Sequence, residues 1–485
     1  YQKCYTCKKL IIMKKIIFVI SLSLLFSYGC QTDKETDGKK AKYIFLFIGD
    51  GMGIQQVNTT QVYIDSVLKS NQKISFIDFP VQTFATTYAA NQYITCSAAT
   101  GTALSTGSKT SIGTLGLNYN HTDSLFSIAK KLKESGYKVG LLTSVSIDHA
   151  TPAAFYAHQG SRGSSYDIAK DLLISGYDFY AGGGFLDPFG KKQKDLVESI
   201  YSLGEKRLFA FTYRISIIDS LKNKYKSVVY SIPNPASESS FKYAIDSDST
   251  DVTLADLTKK AIQILDNPKG FFMMVEGGKI DWACHSNDAT TTFYEVIAFS
   301  DAISHAIEFY NAHPNETLII VTADHETGGF SLGNKENKYS NKLSLLENQK
   351  ISKDQFYELV KSKLTLTPKP TFQEMLNLAK EKIGIGSKDL NLTDKDIEKL
   401  KESYNSSVKL SLSSIEKENY MTESKEKFSI TCFEILNRRA AIGWTSSSHT
   451  GCPVPIYVKG KGQELFNGRL DNTDIPKIID LITLK

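Results

Sequence analysis

Tyr43-Ile44-Phe45-Leu46-Phe47-Ile48 runs directly into Gly49-Asp50-Gly51-Met52-Gly53. Six consecutive apolar residues that stop at a glycine-rich turn fit a strand buried on both faces of a parallel sheet. Three more runs share the design. KVGLLT (residues 138–143) leads to Asp148-His149-Ala150-Thr151, FFMMV (271–275) ends at Glu276-Gly277-Gly278, and TLIIV (317–321) ends at Thr322-Ala323-Asp324-His325. Helical patterns lie between them. Residues 292–311 set Phe293, Val296, Ile297, Ser300, Ile303 and Ile307 along one face, and residues 122–134 form another helix. Strand alternating with helix argues an α/β fold: a doubly wound, mostly parallel central sheet flanked by helices. Ligands of such sheets bind beyond the carboxyl ends of the strands. Those ends carry Asp50, His149, Thr151, Glu276, Asp324 and His325. One acidic strand end is ordinary turn chemistry, but four ends loaded with oxygen and imidazole ligands are not.

Working outward, the 485 residues are 41% hydrophobic and 22% charged, which excludes a disordered or collagen-like chain. The net charge of +5 comes from Lys3, Lys8, Lys9, Lys14 and Lys15, so the body is neutral and offers no surface field for nucleic acid. Residues 1–29 read as a leader with Met13 as the working start: Lys14 and Lys15 precede an apolar stretch over residues 16–26, the length of a signal peptide's core rather than of a membrane span. Ser27-Tyr28-Gly29-Cys30 resembles a bacterial lipobox, although leucine is usual where Ser27 stands. A lipid on Cys30 with residues 30–42 as tether is expected, and an exported location, periplasmic or membrane-anchored. Cys96, Cys284, Cys432 and Cys452 form no spaced framework, and few or no disulfides are expected.

The remaining chemistry sits in four short stretches. EGGKIDWACH (276–285) puts Asp281 and His285 four apart, on one face of a helical turn, a common metal-ligand spacing. His449 lies in SSSHTG (446–451), just before the apolar segment 454–458. TCSAATGTALSTG (95–107) reads as a loop entering a helix of small residues, with Ser97 near its N-terminus, where backbone N–H groups favour an alkoxide or a phosphate. HATPAAFYAH (149–158) leads to Arg162, whose guanidinium can clamp a phosphate through two hydrogen bonds.

Together with IGDGM (48–52) and TADHETGG (322–329), these stretches resemble the alkaline phosphatase family, in the family's order and across residues 44 to about 460. The resemblance implies hydrolysis of small phosphate monoesters through a phosphoserine, with an alkaline optimum. It implies that Ser97 is the nucleophile and Arg162 the phosphate clamp. It implies one zinc on Asp281, His285 and His449, a second on Asp50, Asp324 and His325, and a magnesium on Asp50, Thr151 and Glu276. Imidazole with carboxylate suits zinc and an all-oxygen set suits magnesium, and two zincs roughly 4 Å apart can clamp both apical oxygens of an in-line displacement. Homodimers are common in the family.

This chain departs from the pattern at three places. Cys96 stands where many relatives have the aspartate that orients the arginine, so a looser Arg162 is expected. Trp282 stands where relatives often have lysine or histidine, and His149 where others have aspartate, which leaves the third metal open between magnesium and zinc. All three are expected to flank the metal ligands rather than to be ligands. The bland readings are a loop at residues 181–184, core or surface roles for His121, His158, His305 and His313, and a helix cap at Thr393. Residues 43–485 are expected to form one domain, with residues 331–440 as a helical, cap-like insertion and 185–265 as a second variable stretch with a helix around 191–203. The nearest alternative is a phosphodiesterase or another phosphoryl-transfer enzyme of the same superfamily, which the third cation site argues against. A catalytically dead binding protein would have no need of the intact Ser97, Arg162 and ligand set.

Overall fold

A computed structural model describes residues 40–409 and 426–485. The leader, the Cys30 lipid site and nearly all of the tether lie outside the described residues. Ala41 already belongs to the body: it is fully buried and its N–H donates to Ile482 O at 3.1 Å. Residues 41–485 form one compact unit. Among the described residues no helix is long and apolar enough to cross a membrane.

The strands in chain order are β1 (Tyr43–Ile48), β2 (Val81–Thr86), β3 (Lys138–Thr143), β4 (Phe179–Gly182), β5 (Phe209–Thr212), β6 (Ser227–Ser231), β7 (Phe271–Glu276), β8 (Thr317–Thr322), β9 (Glu326–Thr327), β10 (Ser331–Leu332), β11 (Ile442–Gly443), β12 (His449–Thr450), β13 (Val454–Gly460) and β14 (Leu470–Asp471). Ten of them make one sheet in the order β14-β2-β13-β8-β1-β7-β3-β4-β6-β5. The four apolar runs quoted first lie side by side at its centre as β8, β1, β7 and β3, all parallel. Every residue of β1, β7 and β8 is buried, which is why these runs carry no polar alternation. Only β13 runs antiparallel to its neighbours β2 and β8. Two-residue ribbons pair β10 with β11 and β12 with β9.

The helix expected over residues 292–311 spans Ala289–Ala312, with Asp288 accepting the N–H of Thr291 as its cap. The helix expected from residue 122 begins only at Ile128. Thr122 and Asp123 are spent in a turn whose N–H groups donate to Asn118 Oδ1, and Ser127 is the cap. The helix expected around 191–203 is shorter and later, Ile200–Glu205. Asp187 accepts the N–H groups of Lys191 and Lys192, which holds that stretch as a turn. The 185–265 stretch also supplies β5 and β6, the far edge of the sheet.

Residues 331–440 carry the helices Lys353–Leu364, Phe372–Ile383, Asp394–Lys409 and Lys427–Ala440. They share an apolar core of Phe356, Val360, Met375, Leu400, Phe428 and Phe433 that continues into Tyr63, Phe293 and Phe330 of the body.

Candidate active site and metal centre

The sheet register brings the strand ends level. Ile48 of β1 pairs with Glu276 of β7 and with Thr322 of β8, and Glu276 pairs with Thr143 of β3. Asp50 and Asp324 each stand two residues beyond that row, so three carboxylates reach one rim from strands far apart in sequence. Gly51 lets the turn after β1 pass over them. Its φ is +72°, and a Cβ there would lie 2.8 Å from Asp281 Cα and 2.9 Å from Thr327 Oγ1. Its N–H donates to Asp324 Oδ1 at 3.2 Å.

Three groups of side chains meet on this rim with spacing suited to a metal ion: Asp281, His285 and His449; Asp50, Asp324 and His325; and Asp50, His149 and Glu276. In the first, Asp281 Oδ2 lies 3.3 Å from His285 Nε2, and the two Nε2 atoms of His285 and His449 lie 3.1 Å apart. Each ring is oriented by its other nitrogen: His285 Nδ1–H donates to Ser447 O at 2.6 Å and His449 Nδ1–H to Thr95 O at 2.8 Å. Both Nε2 lone pairs therefore face one another across a gap that repels them unless a cation sits between. A tetrahedral zinc with ligands at about 2.0 Å has ligand–ligand edges of about 3.3 Å, so the set fits zinc. In the second group Asp324 Oδ2 is 3.2 Å and Asp50 Oδ1 is 3.5 Å from His325 Nε2. Ser97 Oγ lies 3.3 Å from the same nitrogen, a fourth donor for the same centre. The His325 and His449 rings stack at 3.6 Å between centroids.

Ser97 is the first residue of the helix Ser97–Thr106 and is 1% exposed. In the third group Thr151 Oγ1 donates to Asp50 Oδ2 at 3.3 Å. Glu276 accepts from Thr143 Oγ1 through Oε2. Among the described residues Asp50 Oδ1 and Glu276 Oε1 are buried with no hydrogen-bond donor, as metal-facing oxygens would be. His149, expected beside the ligands, joins them: its ring nitrogen Nδ1 is 3.8 Å from Glu276 Oε1.

The electrostatics show a shortage of positive charge. Burial, followed by the charges of Asp324, Asp281 and Glu276, pushes Asp50 well above the usual carboxylate range. Burial and Asp281 push Asp324 up to about 7. Burial, then His449, hold His325 well below the usual imidazole range. Burial acts upward on Asp281 too, but His285, His449 and His325 outweigh it and hold it well below. Burial and mutual repulsion thus disfavour full ionisation of Asp50 and Asp324, and a bound cation would offset both.

Arg162 is fixed at both ends. Its backbone N–H donates to Gly113 O at 2.8 Å, and its Nη2 lies 3.0 Å from His149 Nε2. Cys96 reaches it through the backbone, because Gly113 N–H donates to Cys96 Sγ at 3.2 Å. The Trp282 ring stands edge-on to His149 at 6.2 Å and lies 4.4 Å from Lys279 Nζ. Cys284 is not a ligand here: its Sγ faces Gln56 and Thr292 at 3.8 and 3.7 Å, and burial pushes its thiol up. Among the described residues His121, His158, His305 and His313 join no metal-capable group.

Several supporting residues were not singled out from the sequence. Thr327 Oγ1 donates to Asp281 Oδ1 at 2.6 Å and lies 3.3 Å from His325 Nδ1, so it touches two groups at once. Glu326 accepts from Gln56 Nε2 at 2.8 Å, from Gly329 and Phe330 N–H, and from Thr450 Oγ1, which stitches the β9–β12 ribbon that carries His449. Thr100 donates to Asp324 Oδ2 at 3.3 Å.

Comparison with known proteins agrees with this geometry. Residues 41–178 and 222–484 match the family model described as alkaline phosphatase. The chain is 32% identical over 456 residues to alkaline phosphatase 4 of Bacillus subtilis, covering 92% of this chain and 89% of that one. It is similar to the crystal structure of a cold-active alkaline phosphatase from a Shewanella species, at TM-score 0.74 and 27% identity over 91% of this chain and 99% of that one. It is also similar, at TM-score 0.63 and 25% identity over 92% of this chain and 98% of that one, to a His-to-Asp variant of the TAB5 alkaline phosphatase with Mg in its M3 site. A sheet with loaded strand ends, three metal-capable groups beside one serine, and a match over most of the sequence lead to one conclusion: the chain belongs to the alkaline phosphatase family of enzymes.

Proposed function

We propose that the chain hydrolyses small phosphate monoesters to an alcohol and inorganic phosphate through a phosphoserine on Ser97, with an alkaline optimum. The observation that carries this reading is the Ser97 Oγ at 3.3 Å from His325 Nε2, on the first turn of a helix whose Thr100 also donates to Asp324 of the same metal-capable group.

Asp281, His285 and His449 would hold one zinc, Asp50, Asp324 and His325 a second, and Asp50, Thr151, Glu276 and His149 a magnesium or a third zinc. When bound, these ions supply Lewis-acid charge that lowers the pKa of the Ser97 hydroxyl and stabilises the departing oxygen. Ser97 Oγ, freed of its proton, forms a bond to phosphorus as the bond to the leaving alcohol's oxygen breaks, and that oxygen takes a proton from water. Water then attacks phosphorus from the vacated side, the Oγ–P bond breaks, and Ser97 regains its proton as phosphate leaves. Arg162 binds two non-bridging oxygens throughout, its backbone held by Gly113. Both nucleophiles react in deprotonated form, which is the physical reason for an alkaline optimum. The same reading takes residues 1–29 as an export leader, Cys30 as a lipid site, residues 30–42 as a tether and residues 43–485 as one catalytic domain carrying the 331–440 insertion, outside the bacterial cytoplasm. The family further favours a homodimer.

The test is a paired assay of residues 31–485 on an aryl phosphate monoester and the matching diester at pH 7 and 9.5, with zinc and magnesium and with a chelated control. Monoester turnover that rises with pH and disappears on chelation is expected. A diester preference, or activity that survives thorough chelation, overturns the reading.

A further inference from the structure

A three-residue corner, residues 286–288, follows the helix Lys279–His285 that carries two metal-facing side chains. At its centre Asn287 adopts a left-handed backbone with φ 52°, a region that asparagine tolerates better than most residues. Its N–H closes back on Cys284 O at 2.9 Å. With its amide nitrogen turned to the two carbonyls that face it, its side chain donates to Cys284 O at 3.0 Å and to Ser446 O at 2.9 Å. The next residue, Ser447, supplies the carbonyl that orients the His285 ring at 2.6 Å. His449 lies two residues further on. One side chain thus ties the helix that bears Asp281 and His285 to the loop that bears His449.

The helical insertion grips the same corner from the other side. Asn437, on the helix Lys427–Ala440, donates through Nδ2 to Asn287 O at 2.8 Å. Lys353 Nζ donates to Ser286 O at 2.9 Å. Gln349 Nε2 and the Lys353 N–H reach the two carboxylate oxygens of buried Asp288 at 2.8 and 2.7 Å. Gln349, Lys353 and Asn437 all belong to residues 331–440. The Asp50–Asp324–His325 group stands on the ends of β1 and β8 and makes no hydrogen bond to Asn287 or Asn437 in the described residues.

We infer that Asn287 is a positioning residue for the Asp281–His285–His449 group, and that Asn437 transmits the insertion's position to that group alone. The inference rests on the metal reading above. Without the Asn287 amide, Ser446 O loses its tether and the loop can carry His449 Nε2 away from the narrow gap to His285. The consequence is selective: one of two zinc positions weakens and the other does not. The insertion is thereby part of the metal centre's support.

The test uses residues 31–485, stripped of metal and titrated with zinc against a chromophoric chelator. With magnesium kept in excess to fill the third group, the parent protein is expected to take up two tight zincs. Asn287→Gly keeps the left-handed backbone and removes both donors. It should weaken one zinc about tenfold or more, the range seen when an outer partner of a ligand is lost, and leave the other unchanged. Asn287→Asp, equal in size but unable to donate to the two carbonyls, should do the same and guards against failure of the glycine variant to fold. Asn437→Ala should weaken that same zinc several-fold. Thermal melting of the metal-free proteins reports on the fold separately. Equal loss at both zincs, or no loss in either Asn287 variant, overturns the positioning role. No loss in Asn437→Ala overturns transmission from the insertion. A parent protein that binds no zinc overturns the metal reading itself, and this inference with it.

Discussion

Replacing Thr327 by valine removes one hydroxyl, with its contacts to Asp281 and His325, from the metal centre. The two side chains have nearly the same shape, so packing beneath the Gly51 turn is kept while the hydroxyl is lost. That hydroxyl donates to Asp281 Oδ1 at 2.6 Å, inside a fully buried pocket. A hydrogen bond to a charged group contributes roughly 1.5–3 kcal/mol, and a carboxylate oxygen left without its donor bears a penalty of similar size. Part of that is recovered, because a metal ion on Asp281 still satisfies the other oxygen. A net loss of about 1.4–2.8 kcal/mol corresponds to a zinc affinity lower by roughly 10–100-fold at the Asp281–His285–His449 group. The second group should weaken less, since Thr327 touches it only through His325 Nδ1 at 3.3 Å. The assay is zinc competition with a chromophoric chelator, read as two separate dissociation constants, with turnover at saturating zinc as a second readout. Turnover should recover largely once zinc is in excess, because the Thr327 hydroxyl bonds to Asp281 and His325 rather than to Ser97 or Arg162. If Thr327→Val binds both zincs as tightly as the parent, the hydroxyl does not orient Asp281 and the argument from buried hydrogen bonds fails here.

Ser97→Ala should lower monoester turnover by at least about 10³-fold and abolish covalent labelling by radioactive phosphate at low pH, with zinc content unchanged; retained labelling would remove Ser97 from its role. Arg162→Ala should raise KM and the inhibition constant for phosphate by roughly 10–100-fold, the loss of two charge-assisted hydrogen bonds, while zinc titration stays as in the parent. Asp246 gives a pH test. Burial pushes its carboxyl up to about 6 from 3.8, against the Ser352 N–H that donates to it at 2.8 Å. The folded state therefore holds this proton more tightly than the unfolded one, so the associated stability is present below about 3.8 and lost as pH rises through about 6. Asp246→Asn removes that dependence. In chelated urea titrations its stability relative to the parent should rise by about 2.4 kcal/mol between pH 4 and pH 8, and a constant difference would refute the assignment.

Much of the centre was legible because each ligand is carried by a short stretch with its own logic. Asp281 and His285 are one helical turn apart, and Asp50 and Asp324 follow buried strands at the same offset. What stayed hidden depends on registers that no local pattern carries. Thr327 could be read as a turn residue, and its role appears only when β9 pairs with β12, which sets it opposite His449. Thr143 looks like the end of a strand until β3 pairs with β7 and places it level with Glu276. His149 was placed beside the ligands, and only the approach of Asp50 and Glu276 from two other strands turns its ring into a member of their group. The helix starts failed for a local reason: Asn118 and Asp187 use their side chains to cap turns, which outcompetes helix at residues 122–127 and 191–199.

The level row of strand ends also bears on when the protein can take up metal during its synthesis and folding. Asp281 and His285 emerge together, but His449 lies 164 residues after His285, on the ribbon that precedes the antiparallel β13. Asp324 lies 273 residues after Gly51, the turn that binds it. A partly folded chain therefore offers at most two ligands per ion, an open and weak pair, and closing such long loops is slow. On the metal reading proposed above, tight capture of an ion would begin only when β8 docks on β1 and β13 docks on β8. Metal uptake thus serves as a readout of completed folding, and a pulse of zinc added at successive times after refolding would be retained in step with closure of the sheet rather than with formation of the individual helices.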